Sequence, residues 1–583
     1  MNDLQQTLES RLQAAMAAAF GDEYRDADPV VRPSNNPKFG DYQANLAMAL
    51  GKQLGQKPRD VAEKIVSSLD ADGLFSAVDI AGPGFINLTL DAAALNAAAS
   101  AMAGSLQLGT TPADPPRQVV IDYASPNLAK EMHIGHLRST IIGDALARTL
   151  GFLGHRVTRQ NHIGDWGTQF GMLLEHLIDQ GWSPDTEQDH SISDLNALYQ
   201  DAKKRYDREP EFAERARKRV VALQAGEDAS RAIWRQLIDE SVRHMNDVFA
   251  RLGVLLDNDD LAAESFYNDK LGAVVTDLAA AGLLHDLDGA QVAYIDGYLN
   301  REGEPLPMAV QKSDGGFGYP ATDLAAVRYR VQTLGADRVI YVVDSRQKDH
   351  FGQFFALARQ AGWVPDEARL DYVSFGTILG KDKKPFKTRE GGTVKLADVL
   401  DEAVSRADAA IAEKNPDLPA EERQAVARSV GIGAVKYADL SNDRIKDYVF
   451  DYDRMLALDG NTAPYLLYSY ARIRSIFRKG EIAFDGFVND QLAVNEPAER
   501  ALALQLLQFG DVIESVADSL EPHRLCNYLY ELATRYHRFF EQCPVLRADD
   551  EATKASRLAL CHLTARTLER GLGLLGINVV ERM

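Results

Sequence analysis

The segment from Gln118 to Asp165 constrains the fold more than any other part of the chain. It opens on the β-rich run "QVVIDY", passes through the loop "ASPNLAKEMHI" into "GHLRSTIIGDALARTLGFLG", and ends on "HRVTRQNHIGD". In the middle stretch Leu137, Ile141, Ala145, Leu146 and Leu150 recur at helical spacing, which predicts a helix. A strand, a crossover helix and a second strand in that order make a βαβ unit of a doubly wound parallel sheet. Ligands of such sheets sit beyond the carboxyl ends of the strands. The stretch "KEMHIGHLRST" falls there, with His133, Gly135 and His136 at the mouth of the expected helix.

Three readings of that stretch compete: metal ligands, a phosphate-binding turn, and a polar helix cap. Helical zinc pairs usually place histidines four apart with a third ligand nearby. Here the spacing is three, with glycine between and no third ligand evident, so metal is disfavoured. The phosphate reading has more physical support. Gly135 lets a nucleotide approach the backbone without a Cβ in the way, and a helix start offers free N–H groups and a positive dipole end to an anion. Imidazole N–H donors can then stabilise charge developing on an α-phosphate as pyrophosphate leaves, and Lys130 adds a cation within reach. A second cationic cluster, "GKDKKPFKTREGG", holds Lys381, Lys383, Lys384, Lys387 and Arg389 between glycines. It reads either as a loop for the outer phosphates of ATP or as a solvated turn.

Beyond this unit the chain divides. Residues 1–108 read as a small α+β unit, and 109–117, rich in proline, as a linker. An α/β domain spans 118–400, interrupted by a helical, highly charged insertion at about 175–290. Within it "DAKKRYDREPEFAERARKRV" alternates sign and predicts an exposed face. The α/β pattern resumes at "RVIYVVD", followed by the helix-like "HFGQFFALARQAGW". Residues 401–460 predict a helical stem and 461–583 a further helical domain. A chain of 583 residues needs several cores.

Its 45% hydrophobic and 26% charged residues are those of an ordinary globular protein. No apolar run approaches the roughly 20 residues of a membrane span, and the N-terminus reads as an amphipathic helix, not a signal peptide. Cys526, Cys543 and Cys561 form no CxxC pair, which predicts a reducing compartment and no cysteine zinc site. The net charge of −21 counts mildly against a nucleic-acid partner, but local patches decide such binding. One patch is "YARIRSIFRK", with Arg472, Arg474, Arg478 and Lys479.

HIGH at 133–136 in a βαβ unit, with a lysine-rich loop about 250 residues later, resembles the class I aminoacyl-tRNA synthetases. "ASPNLAKEMHIGHLRST", "NHIGDWGTQFG", "YPATDLAAVRYR", "IYVVDSRQKDHF" and "FKTREGGTV" narrow the likeness to arginyl-tRNA synthetases of bacterial type. "KFGDYQAN" and "GPGFINL" before them, and "NTAPYLLYSYAR" after them, extend it over nearly the whole chain. The resemblance implies a multidomain α/β architecture: a Rossmann-type catalytic domain, a small α+β N-terminal tRNA-binding domain and an all-α anticodon-binding domain. It implies ligation of L-arginine to its tRNA through arginyl-adenylate, with ATP as substrate and Mg²⁺ assisting, and no protein-bound zinc. A cytoplasmic monomer is expected, without membrane partners, whose adenylate formation waits for tRNA. A synthetase for another amino acid and an inactive RNA-binding paralogue are the rival readings.

The resemblance also implies site residues. Arginine contacts come from Asp122, Ser125, Asn127, His136, Tyr319, Asp323 and Gln347. A guanidinium carries five donors and no acceptor, so carboxylates and neutral acceptors suit it. Tyr319 and Asp323, four apart, share a side if a helical turn connects them, and Asp122 is expected to meet the α-ammonium. The family's KMSKS-type lysines are missing from Pro385-Phe386-Lys387-Thr388-Arg389. Some members with that loss carry a lysine just before HIGH, so Lys130 is the expected substitute, helped by Lys384 and Lys387. Phe85 and Asn87 match the family's contacts to the D-loop side of the tRNA, where an aromatic and an amide suit an unpaired base. Arg472 and Arg474 are candidates for phosphate contacts near the anticodon.

Overall fold

Helix α1 (Leu4–Phe20) buries Leu8, Leu12 and Met16, one stripe of its surface. It packs on α3 (Pro58–Ser68), which in turn meets α2 (Leu46–Leu54), near an antiparallel sheet of β1 (Val31–Pro33), β2 (Tyr42–Ala44), β3 (Phe75–Ala81) and β4 (Phe85–Leu90). The order is β1-β2-β4-β3. Alternation along β4 sends Ile86, Leu88 and Leu90 into the core and puts Phe85 and Asn87 on the opposite face. The computed structural model describes residues 4–583 apart from 35, 129, 184–194, 301, 388–393 and 489–491.

Helix α4 (Ala92–Gly104) leads into the proline-rich segment. That segment is packed: Leu108 and Thr110 are buried, and Ala113 donates its N–H to Leu153. Next come β5 (Gln118–Asp122), α5 (Ile134–Phe152) and β6 (Arg156–Gln160), and the two strands pair in parallel as the sequence predicts. Helix α5 is buried almost all round, beyond its apolar stripe, because stem and C-terminal helices cover its other sides. Its buried polar groups therefore need partners. Ser139 Oγ donates to the Val342 carbonyl, Arg138 Nε lies 3.2 Å from Asp439, and Asp144 Oδ1 accepts from Leu255 N–H.

The insertion supplies α6 (Thr168–Asp179), α7 (Leu195–Arg208), α8 (Pro210–Ala225), α9 (Asp228–Leu252) and α10 (Asn268–Ala280). The charged side chains of the sign-alternating run are exposed as its pattern predicts, except Arg205 and Arg219, which are half-buried, while its apolar residues turn inward. The chain turns at Pro210, so α7 and α8 both face α6; Phe212 and Ala216 are buried there. Asp179 holds both Arg205 and Arg215 at 2.7 Å, and Arg219 reaches Glu175 and Glu227. The insertion is also followed by an antiparallel sheet that the sequence reading did not anticipate: β7 (His285–Leu287), β8 (Ala290–Leu299) and β9 (Pro305–Gln311).

Helix α11 (Tyr319–Arg328), β10 (Arg338–Asp344), α12 (Lys348–Gln360) and β11 (Arg369–Phe375) complete the parallel sheet, ordered β11-β10-β5-β6. The chain leaves β5 toward β6 and returns to β10 on the other side, which makes the β5–β10 gap the switch point where a ligand crevice opens. Strand β12 (Ile378–Leu379) precedes the stem helices α13 (Leu396–Lys414) and α14 (Ala420–Leu440). It pairs with β13 (Tyr448–Val449), just ahead of α15 (Tyr452–Met455), tying the lysine-rich turn to the end of the stem. Helices α16 (Ala463–Lys479), α17 (Pro497–Leu507), α18 (Phe509–Ser519), α19 (His523–Gln542) and α20 (Glu551–Leu574) form the last domain. The three cysteines lie buried and unbridged there. Among the described residues no helix is long and apolar enough to cross a membrane.

Candidate active site

The opening motif caps its helix in both directions. His133, extended at φ −114° and ψ 169°, is the N-cap of α5. Its Nδ1 accepts from Gly135 N–H at 3.0 Å, while His136 Nδ1 accepts from His133 N–H at 3.1 Å. The two rings stack with centroids 3.8 Å apart. Because each Nδ1 is an acceptor, each ring carries its proton on Nε2 and is left with one free donor. Burial first, then His133 and Lys130 beside it, lower His136 to about 3; burial and then Lys130 also lower His133. The pair is therefore neutral at neutral pH. A Cβ on Gly135 would stand 2.8 Å from the His133 ring, so glycine is needed for the stack as well as for open backbone. Among the described residues no three His, Cys, Asp or Glu side chains gather as metal ligands.

This helix mouth forms one wall of a cleft of about 960 Å³ at the switch point. Asp122, Ser125, Asn127, His133, Gly135, His136, Tyr319, Asp323, Gln347 and Lys387 all line it. Asp122 ends β5 but is not a free carboxylate. Arg330, fully buried, places Nη2 2.8 Å from Asp122 Oδ2, and Ser125 Oγ donates to Oδ1 at 2.8 Å. Its charge is thus paired internally, and it faces the cleft as part of a fixed network that includes Gln160. Ala124 and Ser125 adopt φ of 68° and 43°, a strained turn that Asn161 and His162 hold through Ser125. Asn127 packs against Gly164, where a Cβ would come within 2.1 Å of Asn127 Oδ1.

Tyr319 and Asp323 stand one turn apart on α11, as their spacing predicts. Gln347 caps α12. Two groups beside them escaped the sequence reading. His350, one turn into α12, sets Nε2 2.6 Å from Asp323 Oδ2. Glu264, in a short 3₁₀ turn between α9 and α10 of the insertion, brings a second carboxylate to the cleft. Burial first, then the charges of Asp165 and Asp323, raise its pKa to about 8. His350 had a usable signal, three residues after Gln347 on one helical face; Glu264 had none.

The lysines divide. Lys387 lines the cleft, whereas Lys384 is exposed on the adjoining turn and does not. Lys381 pairs with Asp451 at 3.2 Å. The Lys130 ammonium lies 3.8 Å from the Tyr199 ring centre on α7, outside the cleft lining. Thr388, Arg389 and Glu390 fall outside the described residues.

Farther off, Phe85 is half-buried and outside the apolar clusters, while Asn87 is buried and accepts from Gln43 Nε2 at 2.8 Å. Arg472 lies between the Tyr468 and Phe540 rings, lining a hollow of about 770 Å³ shared with Arg478, Lys479, Arg547 and Arg582. Arg474 is instead committed to Glu581 at 2.6 Å and stacked on Phe484.

Residues 100–452 match the family described as tRNA synthetases class I (R), catalytic domain. Residues 466–583 match the DALR anticodon binding domain, and residues 4–90 the arginyl tRNA synthetase N terminal domain. The chain is 52% identical to an arginine–tRNA ligase of Thermobifida fusca, over 100% of both chains. It is 51% identical to one of Synechococcus elongatus, over 99% of both. The crystal structure of arginyl-tRNA synthetase from Plasmodium falciparum superposes with a TM-score of 0.85 at 30% identity, covering 100% of both chains. The chain belongs to the arginyl-tRNA synthetases, within the class I aminoacyl-tRNA synthetases.

Proposed function

We infer that this chain ligates L-arginine to its cognate tRNA, consuming ATP and releasing AMP and pyrophosphate. One observation carries the reading of the site: the cleft joins two carboxylates, Asp323 and Glu264, to an anion-receptive helix mouth. The arginine carboxylate attacks the α-phosphorus of ATP, the bond to the β-phosphate oxygen breaks, and pyrophosphate leaves. The terminal adenosine of the tRNA, through its 2′-hydroxyl, then attacks the arginyl carbonyl and AMP departs. His133 and His136, neutral and with Nε2–H free, donate to the phosphate oxygens as charge builds there. Asp323, Glu264 and the Tyr319 hydroxyl receive the guanidinium; Ser125, Asn127 and Gln347 take the amino-acid end, with Asp122 and Arg330 holding the turn beneath it. Lys387 faces the outer phosphates, joined by Lys384 and by Lys130 once it leaves the Tyr199 ring. Mg²⁺, carried on the nucleotide's own phosphates, supplies further charge neutralisation there. Transfer of labelled arginine to an arginine tRNA transcript tests the reading; no acid-precipitable label would defeat it.

The Glu264 carboxyl gives a pH signature. Binding a guanidinium favours its ionised form, so below about pH 8 arginine must displace a proton to bind. The arginine KM is expected to fall as pH rises, by up to about tenfold per unit, and to level above about pH 8. Glu264→Gln should flatten that slope. A wild-type KM already flat from about pH 6 upward would remove Glu264 from the guanidinium site.

We also place the D-loop side of the tRNA on the outer face of β4, and the anticodon at the Arg472 hollow. The chain works in the cytoplasm as a monomer. Phe85→Ala should raise the tRNA KM by the equivalent of about 1–3 kcal/mol, the worth of one stacked base. Tm should barely move, because Phe85 lies outside the core clusters. A large drop in Tm with normal tRNA affinity would make Phe85 a packing residue only.

A further inference from the structure

The first turns of two helices meet in the arginine corner of the cleft. Helix α11 brings Tyr319 and Asp323, and α12 brings Gln347 and His350. The His350 ring packs against Phe351 and Phe354, with centroids 5.8 and 5.4 Å away, which restricts its rotation. Its Nε2 stands 2.6 Å from Asp323 Oδ2, and among the described residues this is the one hydrogen bond to that carboxylate. An aspartate head turns about a broad, two-fold torsion, so without such a partner its oxygens sweep a range of directions. A substrate group held by charge-assisted hydrogen bonds loses much of their value when the acceptor is misaimed.

We propose that His350 is the positioning residue of the arginine pocket: its Nε2–H holds Oδ2 of Asp323, so that Oδ1 is aimed at the substrate guanidinium. The inference rests on the reading of Asp323 given above. A histidine suits this task better than lysine or arginine. An imidazole Nε2–H donates one directed bond and leaves Oδ1, with its share of the carboxylate charge, to the incoming cation. A permanent cation in the same place would cancel that charge, as Arg330 does at Asp122. His350 thereby separates two aspartates of one cleft into different jobs, one neutralised and structural, the other charged and aimed.

The test is a double-mutant cycle read on arginine and ATP kinetics in pyrophosphate exchange. His350→Ala should raise the arginine KM roughly tenfold while the ATP KM stays within about twofold. His350→Gln, whose amide N–H can replace Nε2–H, should recover most of the loss. Placed on Asp323→Ala, the His350→Ala change should add almost nothing, because its only route to substrate is gone. Three results would overturn the inference: an unchanged arginine KM in His350→Ala, additive losses in the double mutant, or equal damage to arginine and ATP kinetics in both the Ala and Gln variants. An arginine KM untouched by Asp323→Ala itself would instead remove the guanidinium reading, and the inference with it.

Discussion

His136→Asn is expected to slow arginyl-adenylate formation by roughly 10²–10³-fold while the protein melts normally. The choice of asparagine follows from the cap. Asn Oδ1 can stand where His136 Nδ1 stands and keep accepting from His133 N–H, so the helix start survives. What is lost is the free Nε2–H, the one donor the ring has left to offer the α-phosphate. A donor aimed at developing charge lowers the barrier more than it tightens the ground state, so ATP affinity should shift far less than the rate. Because His136 is neutral, with its pKa lowered to about 3, the wild-type rate should show no step from this group near neutral pH. Single-turnover adenylate formation measures the effect directly. A normal rate in His136→Asn would return the motif to the plain cap that its backbone geometry also permits.

Asp323→Ala is expected to cost arginine kcat/KM about 10- to 150-fold, corresponding to roughly 1.5–3 kcal/mol for a hydrogen bond to a charged group. The loss should not become total, because Glu264 remains as a second carboxylate in the same corner. ATP KM should change little, since Asp323 is assigned to the guanidinium and the helix mouth to the nucleotide. Pyrophosphate exchange at varied arginine resolves the two constants. If arginine kinetics were unaltered while ATP kinetics suffered, the two ends of the cleft would have to be exchanged.

The parts of this architecture that can be read from sequence are those set by local pattern. "RVIYVVD" became β10 over Arg338–Asp344, residue for residue, because a β-branched run between breakers has few other uses. HIGH announced itself because glycine, two polar rings and a following apolar helix are rarely combined without a ligand or a cap to explain them. Tyr319 and Asp323 fell on one face because four residues make one helical turn. What could not be read depends on contacts distant in sequence. Arg330, in a π-helical segment after α11, reaches back across 208 residues to claim Asp122. From its place at a strand end, that aspartate had looked like an open partner for the substrate ammonium. Glu264 sits in a short turn within the insertion, and it reaches the site only through the path the insertion takes. The charged face of α7 and α8 is solvated as its pattern shows, but periodicity cannot reveal that α6 lies opposite, where Asp179 and Glu175 pair with Arg205, Arg215 and Arg219.

The central claim is that the two-carboxylate corner selects arginine for activation at the HIGH helix mouth. ATP–pyrophosphate exchange across all twenty amino acids, with and without arginine tRNA, tests it most directly. The account predicts exchange with arginine alone, and only when the tRNA is present. Exchange supported by a different amino acid, or none with arginine and its tRNA together, would contradict it.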